Sequence, residues 1–190
     1  DSHFLSQRSA TTSPFPLKLL WVGERIESKG YHRMLNAVAT ARQRGVSLSL
    51  EVIGGGTGDQ LDLHKDVQLR GPQPPAEIVA AMDRSHLLLL PSKGEGTPLV
   101  VQEAIARGLP VASTPVGGIP DLFPSGQGWF PIEGASEGEI CSELSDLIVG
   151  VAADPDILDR SRSALLERDT SGFSRKHCAM ELRKIVFEVL

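Results

Sequence analysis

The sequence predicts an α/β fold in which helices flank a parallel β-sheet. Two observations favour it. Strand-like and helix-like segments alternate along most of the chain, and the strand-like runs, such as residues 87–91, are largely apolar without alternation. Strands covered on both faces have such continuous apolar runs, as the strands of parallel sheets do. A chain of 190 residues with 41% hydrophobic residues can also bury one substantial core. We therefore expect one domain, or one domain of a larger protein.

The elements follow one another in a regular order. Residues 1–16 are polar, rich in Ser and Thr and closed by two prolines, which is typical of an extended linker. Residues 17–190 carry the alternating pattern. Its predicted elements are a strand at 17–23, a helix at 31–45, strands at 47–56 and 67–71, a helix at 75–85, a strand at 87–91, a helix that begins near 98, a strand at 110–114, and helices at 137–153, 154–168 and 173–190.

Helix boundaries are indicated by single residues. Gly45 ends the first helix and Pro75 opens the next one, because glycine suits a helix end and proline suits a first turn. Asp154 followed by Pro155 predicts an N-cap and a first helical residue.

Composition excludes several classes of partner. A net charge of −5 and a pI near 5.5 argue against nucleic acid, whose binders normally carry a basic surplus. No apolar run approaches the roughly 20 residues that span a bilayer. The spacing of Cys141 and Cys178 matches no metal or redox motif, so we expect two reduced thiols. These features predict a cytoplasmic protein, with association at the inner face of the membrane left open.

Three loops should meet at the carboxyl edge of the sheet, where open parallel sheets bind ligands. The first follows Gly23 and delivers Arg25 and Lys29, two cations that suit a diphosphate. Ordinary surface charge explains the same residues equally well.

The second loop contains Gly54 and Gly56. It fails the dinucleotide fingerprint, because the third glycine would fall on Asp59. Its glycines allow either a close approach to a ligand or a tight turn.

The third loop reads GEGTPLVVQEAIARG over residues 94–108. Thr97 is predicted to cap a helix with Pro98 in its first turn, so that the following N–H groups form an anion site. Glu95 would precede the helix and Glu103 would lie a turn or two inside it. If both were helical they would be about 12 Å apart along the axis and about 80° apart around it. That spacing does not suit an acid and base pair acting on one bond. A long ligand, however, could contact both carboxylates.

Residues 95–122 closely resemble the E-x7-E signature of the retaining glycosyltransferases of family 4, also called group 1. Glu95 and Glu103 match the two signature glutamates. The resemblance covers nearly all of residues 17–190, including the WVGERIESKG and VIGGGTGDQL loops. It implies a Rossmann-like domain that forms the C-terminal half of a GT-B glycosyltransferase.

The resemblance also implies the ligand and the roles of individual residues. The substrate would be a nucleotide-diphosphate sugar, with Glu95 and Lys29 as catalytic residues, Glu95 near the sugar and Lys29 at the diphosphate. Glu103 would bind the ribose. The implied donor-binding set is Glu103, Arg25, Gly23, Gly54, Gly56, Gly96, Thr97, Pro98, Leu99 and Val100.

One departure from the family pattern concerns the first loop. The position of the family's arginine falls on Glu24, with Arg25 one place later. Either the loop shifts by a residue and Arg25 reaches the phosphates, or a glutamate faces them, and that glutamate would repel the phosphate oxygens.

The resemblance further implies transfer with retention of configuration, through same-face attack in which the departing diphosphate accepts the acceptor's proton. No His pair that would demand a metal is found, and we expect no cofactor. An N-terminal acceptor-binding domain of the same polypeptide would complete the enzyme. The alternative is a non-catalytic module that binds a nucleotide or sugar phosphate, or that serves interaction.

Overall fold

The computed structural model describes residues 16–56, 65–123 and 126–168. Six parallel strands form one sheet, and five α-helices are found within these ranges. The strands are β1 (Leu17–Val22), β2 (Leu48–Ile53), β3 (Val67–Leu69), β4 (Leu87–Leu90), β5 (Val111–Ser113) and β6 (Trp129–Pro131). The helices are α1 (Tyr31–Gln43), α2 (Pro75–Arg84), α3 (Leu99–Ala106), α4 (Glu137–Ala153) and α5 (Asp156–Leu166). Short 3-10 turns lie at Glu27–Lys29 and Pro120–Leu122.

Helices cover both faces of the sheet. Alternate strand residues point to opposite sides, so Leu19 and Trp21 of β1 pack beneath α1 and α4, whereas Leu20 packs beneath α2 and α3. All four residues of β4 are buried. The predicted three-layer, Rossmann-like α/β fold is confirmed.

The strand order is β3-β2-β1-β4-β5-β6. The chain therefore builds outward from β1 in one direction and from β4 in the other, and β1 and β4 are neighbours at the centre. The connections that follow these two strands lead to opposite sides of the sheet, which opens a crevice at its carboxyl edge. That crevice lies between the first and third loops of the sequence analysis.

Most element predictions are confirmed to within a few residues. The helix boundaries at Gly45 and Pro75 hold, since α1 ends at Gln43 before Gly45, which has a φ of 91°, and α2 begins at Pro75. Strand β6 was not predicted, because two of its three residues are only partly buried and the third is an exposed proline. The predicted helix at 173–190, Cys178 and nearly all of the predicted linker at 1–16 lie outside the described residues.

Two predicted helix starts are wrong by one residue. At α3 the N-cap is Pro98, not Thr97, because Pro98 has an extended backbone (φ −68°, ψ 120°) and the helix begins at Leu99. At α5 the N-cap is Pro155 and the helix begins at Asp156, whereas Asp154 closes α4. In both cases proline occupies the boundary position rather than the first helical one. Among the described helices, none is long and apolar enough to cross a bilayer.

Candidate functional site

An ion pair joins the two sides of the central crevice. Lys29 ends the 3-10 turn after β1, and its Nζ lies 2.7 Å from Oε2 of Glu95 in the loop after β4. The Glu95 side chain is only 4% exposed, while that of Lys29 is 34% exposed. A backbone hydrogen bond from Lys93 N to the Ser28 carbonyl (2.8 Å) joins the same two loops. The structure thus brings together the two residues predicted to be catalytic.

The second oxygen of Glu95 also has a donor. Ser92 is fully buried, and its hydroxyl donates to Oε1 of Glu95 at 2.7 Å. The Thr114 hydroxyl, at the end of β5, donates in turn to the Ser92 carbonyl at 2.5 Å. The Ser92 hydroxyl therefore holds the carboxylate from inside, and the Thr114 hydroxyl holds the backbone of Ser92. The sequence analysis assigned no role to Ser92 or Thr114, since the contact between them joins segments that are 22 residues apart in sequence.

Helix α3 presents its N-terminus beside Glu95. The first N–H groups of a helix have no acceptor within it, and in α3 these include the N–H groups of Leu99 and Val100. Pro98 provides no N–H group, although its carbonyl accepts from Val101 at 3.1 Å. Leu99 is 70% exposed at the edge of the site. Glu103 is the fifth residue of α3 and is exposed, so it lies about 6 Å further along the helix axis.

The loop after β5 supports the approach to α3. Gly118 N donates to the Gly96 carbonyl at 2.7 Å, and a Cβ at Gly117 would lie 2.0 Å from the Glu95 carbonyl. A Cβ at Gly118 would lie 2.8 Å from the Thr97 hydroxyl oxygen. Thr97 therefore packs against this loop instead of capping the helix.

The glycine loop after β2 packs against the loop after β1. Gly54 has a φ of 138°, and a Cβ there would lie 1.7 Å from the Gly23 carbonyl oxygen. Arg25 N donates to the Gly55 carbonyl at 2.7 Å, and its Nη2 donates to the Gly56 carbonyl at 2.6 Å. The glycines thus permit a close approach between the two loops. The Arg25 guanidinium contacts the glycine loop, and Glu24 is exposed.

A charged network lies behind the loop that carries Glu95. Arg33 of α1 donates from Nε and Nη2 to the two carboxylate oxygens of Glu137, both at 2.6 Å, and from Nη1 to the Pro91 carbonyl at 3.2 Å. Lys93 pairs with Glu27 and, at 3.2 Å, with Glu137. The hydrogen bonds from Arg33 lower the pKa of Glu137 from 4.5 to about 2. Arg33 and Glu137 are 104 residues apart, so no local pattern could have paired them.

Comparison with known proteins decides the family. Residues 16–149 match the family model described as "Glycosyl transferases group 1". The chain belongs to this family. The amylovoran biosynthesis glycosyltransferase AmsK of Erwinia amylovora is 34% identical over 137 residues, which cover 64% of this chain and 34% of that protein. The D-inositol 3-phosphate glycosyltransferase of Corynebacterium glutamicum (strain R) is 29% identical over 160 residues, covering 75% and 38%.

Among solved structures, the pneumococcal O-GlcNAc transferase GtfA in complex with UDP and GlcNAc superposes with a TM-score of 0.74 at 22% identity. The match covers 92% of this group 1 chain and 36% of the GtfA chain. The structural neighbours are GT-B glycosyltransferases, which confirms the predicted fold class. The chain spans just over a third of the length of the curated relatives it matches.

Proposed function

We propose that this chain is the donor-binding half of a retaining glycosyltransferase that takes its sugar from a nucleotide-diphosphate sugar. The observation that carries the proposal is the Lys29–Glu95 pair at the central crevice, next to the N-terminus of the helix that bears Glu103. The Lys29 ammonium group, the amides at the start of α3 and the carboxylates of Glu95 and Glu103 lie along one edge of the sheet. The amides of Leu99 and Val100 lie between Glu95 and Glu103 in the chain, as the diphosphate of such a donor lies between its sugar and its ribose.

The diphosphate is assigned to Lys29 and to the amides of Leu99 and Val100. A helix N-terminus carries a partial positive charge, and together with an ammonium group it favours phosphate oxygens. When the donor binds, Lys29 has to share its three N–H donors between Glu95 and the phosphates. The sugar hydroxyls then fall to Glu95, whose Oε2 faces Lys29.

The ribose is assigned to Glu103, one turn further along α3. Its exposed carboxylate accepts hydrogen bonds from the two vicinal ribose hydroxyls. The loops at Gly23, Gly54 and Gly56 line the same crevice, with Arg25 connecting them, and Gly96, Thr97 and Pro98 set the path of the chain into the helix.

For the chemical step, these residues stabilise the charge that develops on the departing diphosphate. Lys29 and the α3 amides do this without proton transfer of their own, and fixed donors of this kind are effective because they need little reorganisation. We assign no cofactor to the site. The diphosphate oxygen that leaves accepts the proton of the acceptor hydroxyl on the same face, so the configuration is retained.

The acceptor is assigned to an N-terminal domain of the same polypeptide, which would close over the exposed edge. GtfA, the structural neighbour, was crystallised with UDP and GlcNAc, which supports a nucleotide-sugar ligand for this fold. A site of action in the cytoplasm, at the inner membrane face, stays part of the proposal.

A second candidate is a non-catalytic module that keeps nucleotide or sugar-phosphate binding. One observation favours it: Glu24 occupies the family's arginine position, and the Arg25 guanidinium contacts the Gly56 carbonyl. The first loop would then bring only Lys29 to the diphosphate.

The test is calorimetric titration of the chain with UDP, GDP, ADP and their sugar conjugates. We expect saturable binding of one nucleotide, weakened by about 10- to 100-fold in Glu103→Ala, because a charged hydrogen-bond acceptor is lost. Asp159→Ala, which removes an exposed carboxylate from α5, is the matched control and should bind normally. Absence of binding by all nucleotides, or equal binding by Glu103→Ala, would overturn the assignment.

A further inference from the structure

We propose that Ser92 is a positioning residue, which fixes the carboxylate of Glu95 so that one defined oxygen faces the donor sugar. This inference rests on the proposed function, because it concerns how the sugar end of that site is held. Ser92 does not contact the ligand in this scheme. It acts through Glu95.

The backbone of Ser92 is held by two other elements. Its carbonyl accepts from the Thr114 hydroxyl at 2.5 Å and from Nη1 of Arg33 at 3.4 Å. Its N–H donates to the Leu90 carbonyl at 2.9 Å. Ser92 is fully buried and Thr114 is 4% exposed, so water does not compete for these bonds. The hydroxyl of Ser92 therefore starts from a backbone position set by β5 and α1.

That hydroxyl determines the orientation of Glu95. It donates to Oε1 at 2.7 Å from the buried side, and Lys29 approaches Oε2 at 2.7 Å from the exposed side. A carboxylate with a donor on each oxygen cannot rotate freely about its last bond without losing both. Oε2 keeps a second lone pair, so it can accept from a sugar hydroxyl while Lys29 turns toward the diphosphate.

Without the hydroxyl, Oε1 would be a buried acceptor with no donor from Ser92. Glu95 would then rotate or move toward Lys29 to regain a hydrogen bond, because a buried charged oxygen without a partner is unfavourable. Either movement would displace Oε2 from the sugar. The nucleotide contacts at Glu103 and the α3 amides would not be affected.

The experiment measures the affinity of Ser92→Ala for two kinds of ligand. The first is whichever of UDP, GDP and ADP the wild-type chain binds. The second is the set of glucose, galactose and N-acetylglucosamine conjugates of that nucleoside diphosphate. We expect affinity for the nucleoside diphosphate to stay within about twofold, and affinity for the preferred conjugate to fall about tenfold, the loss typical of one charged hydrogen bond. Ser92→Thr keeps the hydroxyl and should restore sugar-dependent binding. Ser92→Cys, with a weak donor at similar size, should behave like Ser92→Ala and guards against a variant that does not fold.

A double-mutant cycle tests whether Ser92 acts through Glu95. In a Glu95→Gln background, Ser92→Ala should cause little further loss, because residues that act as one unit are not additive. Equal weakening of both ligands would identify a structural role only and overturn the inference. So would an undiminished effect in the Glu95→Gln background. If the wild-type chain binds no nucleotide, the proposed function fails first and the inference falls with it.

Discussion

At the scale of single residues, Gly30 shows how one backbone position can control the site. It follows Lys29, has a φ of 70°, and a Cβ there would lie 1.9 Å from the Pro91 carbonyl oxygen in the loop that carries Glu95. Gly30→Ala therefore combines the left-handed backbone penalty with a backbone clash. We expect a loss of unfolding free energy of about 2–4 kcal/mol. Chemical denaturation of the variant measures it.

Gly71 is the matched control for Gly30. Its φ of 63° is similar, but a Cβ there would have no atom within 4 Å. Gly71→Ala should lose only the backbone penalty, about 1–2 kcal/mol. Equal losses at the two positions would show that the clash with Pro91 does not matter.

At the scale of elements, the sequence predicts what is local. Buried runs such as residues 87–90 and amphipathic stretches such as 31–43 give β4 and α1 directly, because their burial patterns repeat within a few residues. Strand β6 could not be predicted in this way, since it depends on pairing with β5 and not on its own three residues. The boundary error at Thr97 has a local cause, as Pro98 has the extended backbone of an N-cap.

The start of α4 provides the element-scale prediction. Glu137 lies in its first turn and binds Arg33 through both carboxylate oxygens, which connects α4 to α1 and to the loop after β4. Because the pKa of Glu137 falls from 4.5 to about 2 on folding, its contribution to stability is complete above pH 4.5 and is lost as the pH falls toward 2.

We expect Glu137→Gln to unfold more easily than the wild-type chain at pH 7, by about 1 kcal/mol or less because the carboxylate is largely exposed. The difference should close between pH 4.5 and 2. Thermal unfolding across that pH range measures it. Glu77→Gln is the matched control. Glu77 is an exposed glutamate in the first turn of α2 and has no ion pair in the described part of the chain. Its difference in stability from the wild-type chain should therefore not change between pH 4.5 and 2. A constant offset for Glu137→Gln at every pH would contradict the prediction.

At the scale of the whole molecule, topology assembles the site. The strand order places β1 next to β4, so two loops that begin almost 70 residues apart meet across one crevice and pair Lys29 with Glu95. The family resemblance indicated both residues. It could not indicate Ser92, Thr114 or Arg33, because their roles come from contacts between elements that are distant in sequence. The two residues of the ion pair were therefore identified from the sequence, and the contacts that support them were not.

The same topology leads to a prediction for the isolated chain. Lys29 is 34% exposed and Leu99 is 70% exposed, so the crevice is open to solvent on the side where an acceptor would approach. Sugar transfer needs an acceptor hydroxyl held in line and water kept out, and one half of a cleft supplies neither. On the proposed function, the chain should bind a nucleotide sugar but transfer little of it.

Titration and a transfer assay on the same preparation check this prediction. Binding should be saturable, and Lys29→Met, which keeps the aliphatic stem and removes the charge, should weaken it by about tenfold. Release of nucleoside diphosphate should stay near the rate without protein, with simple sugars, lipid-linked sugars or water as acceptors. Acceptor-dependent turnover by the isolated chain would contradict it, because the residues around Lys29 and Glu95 would then suffice for catalysis without a second domain.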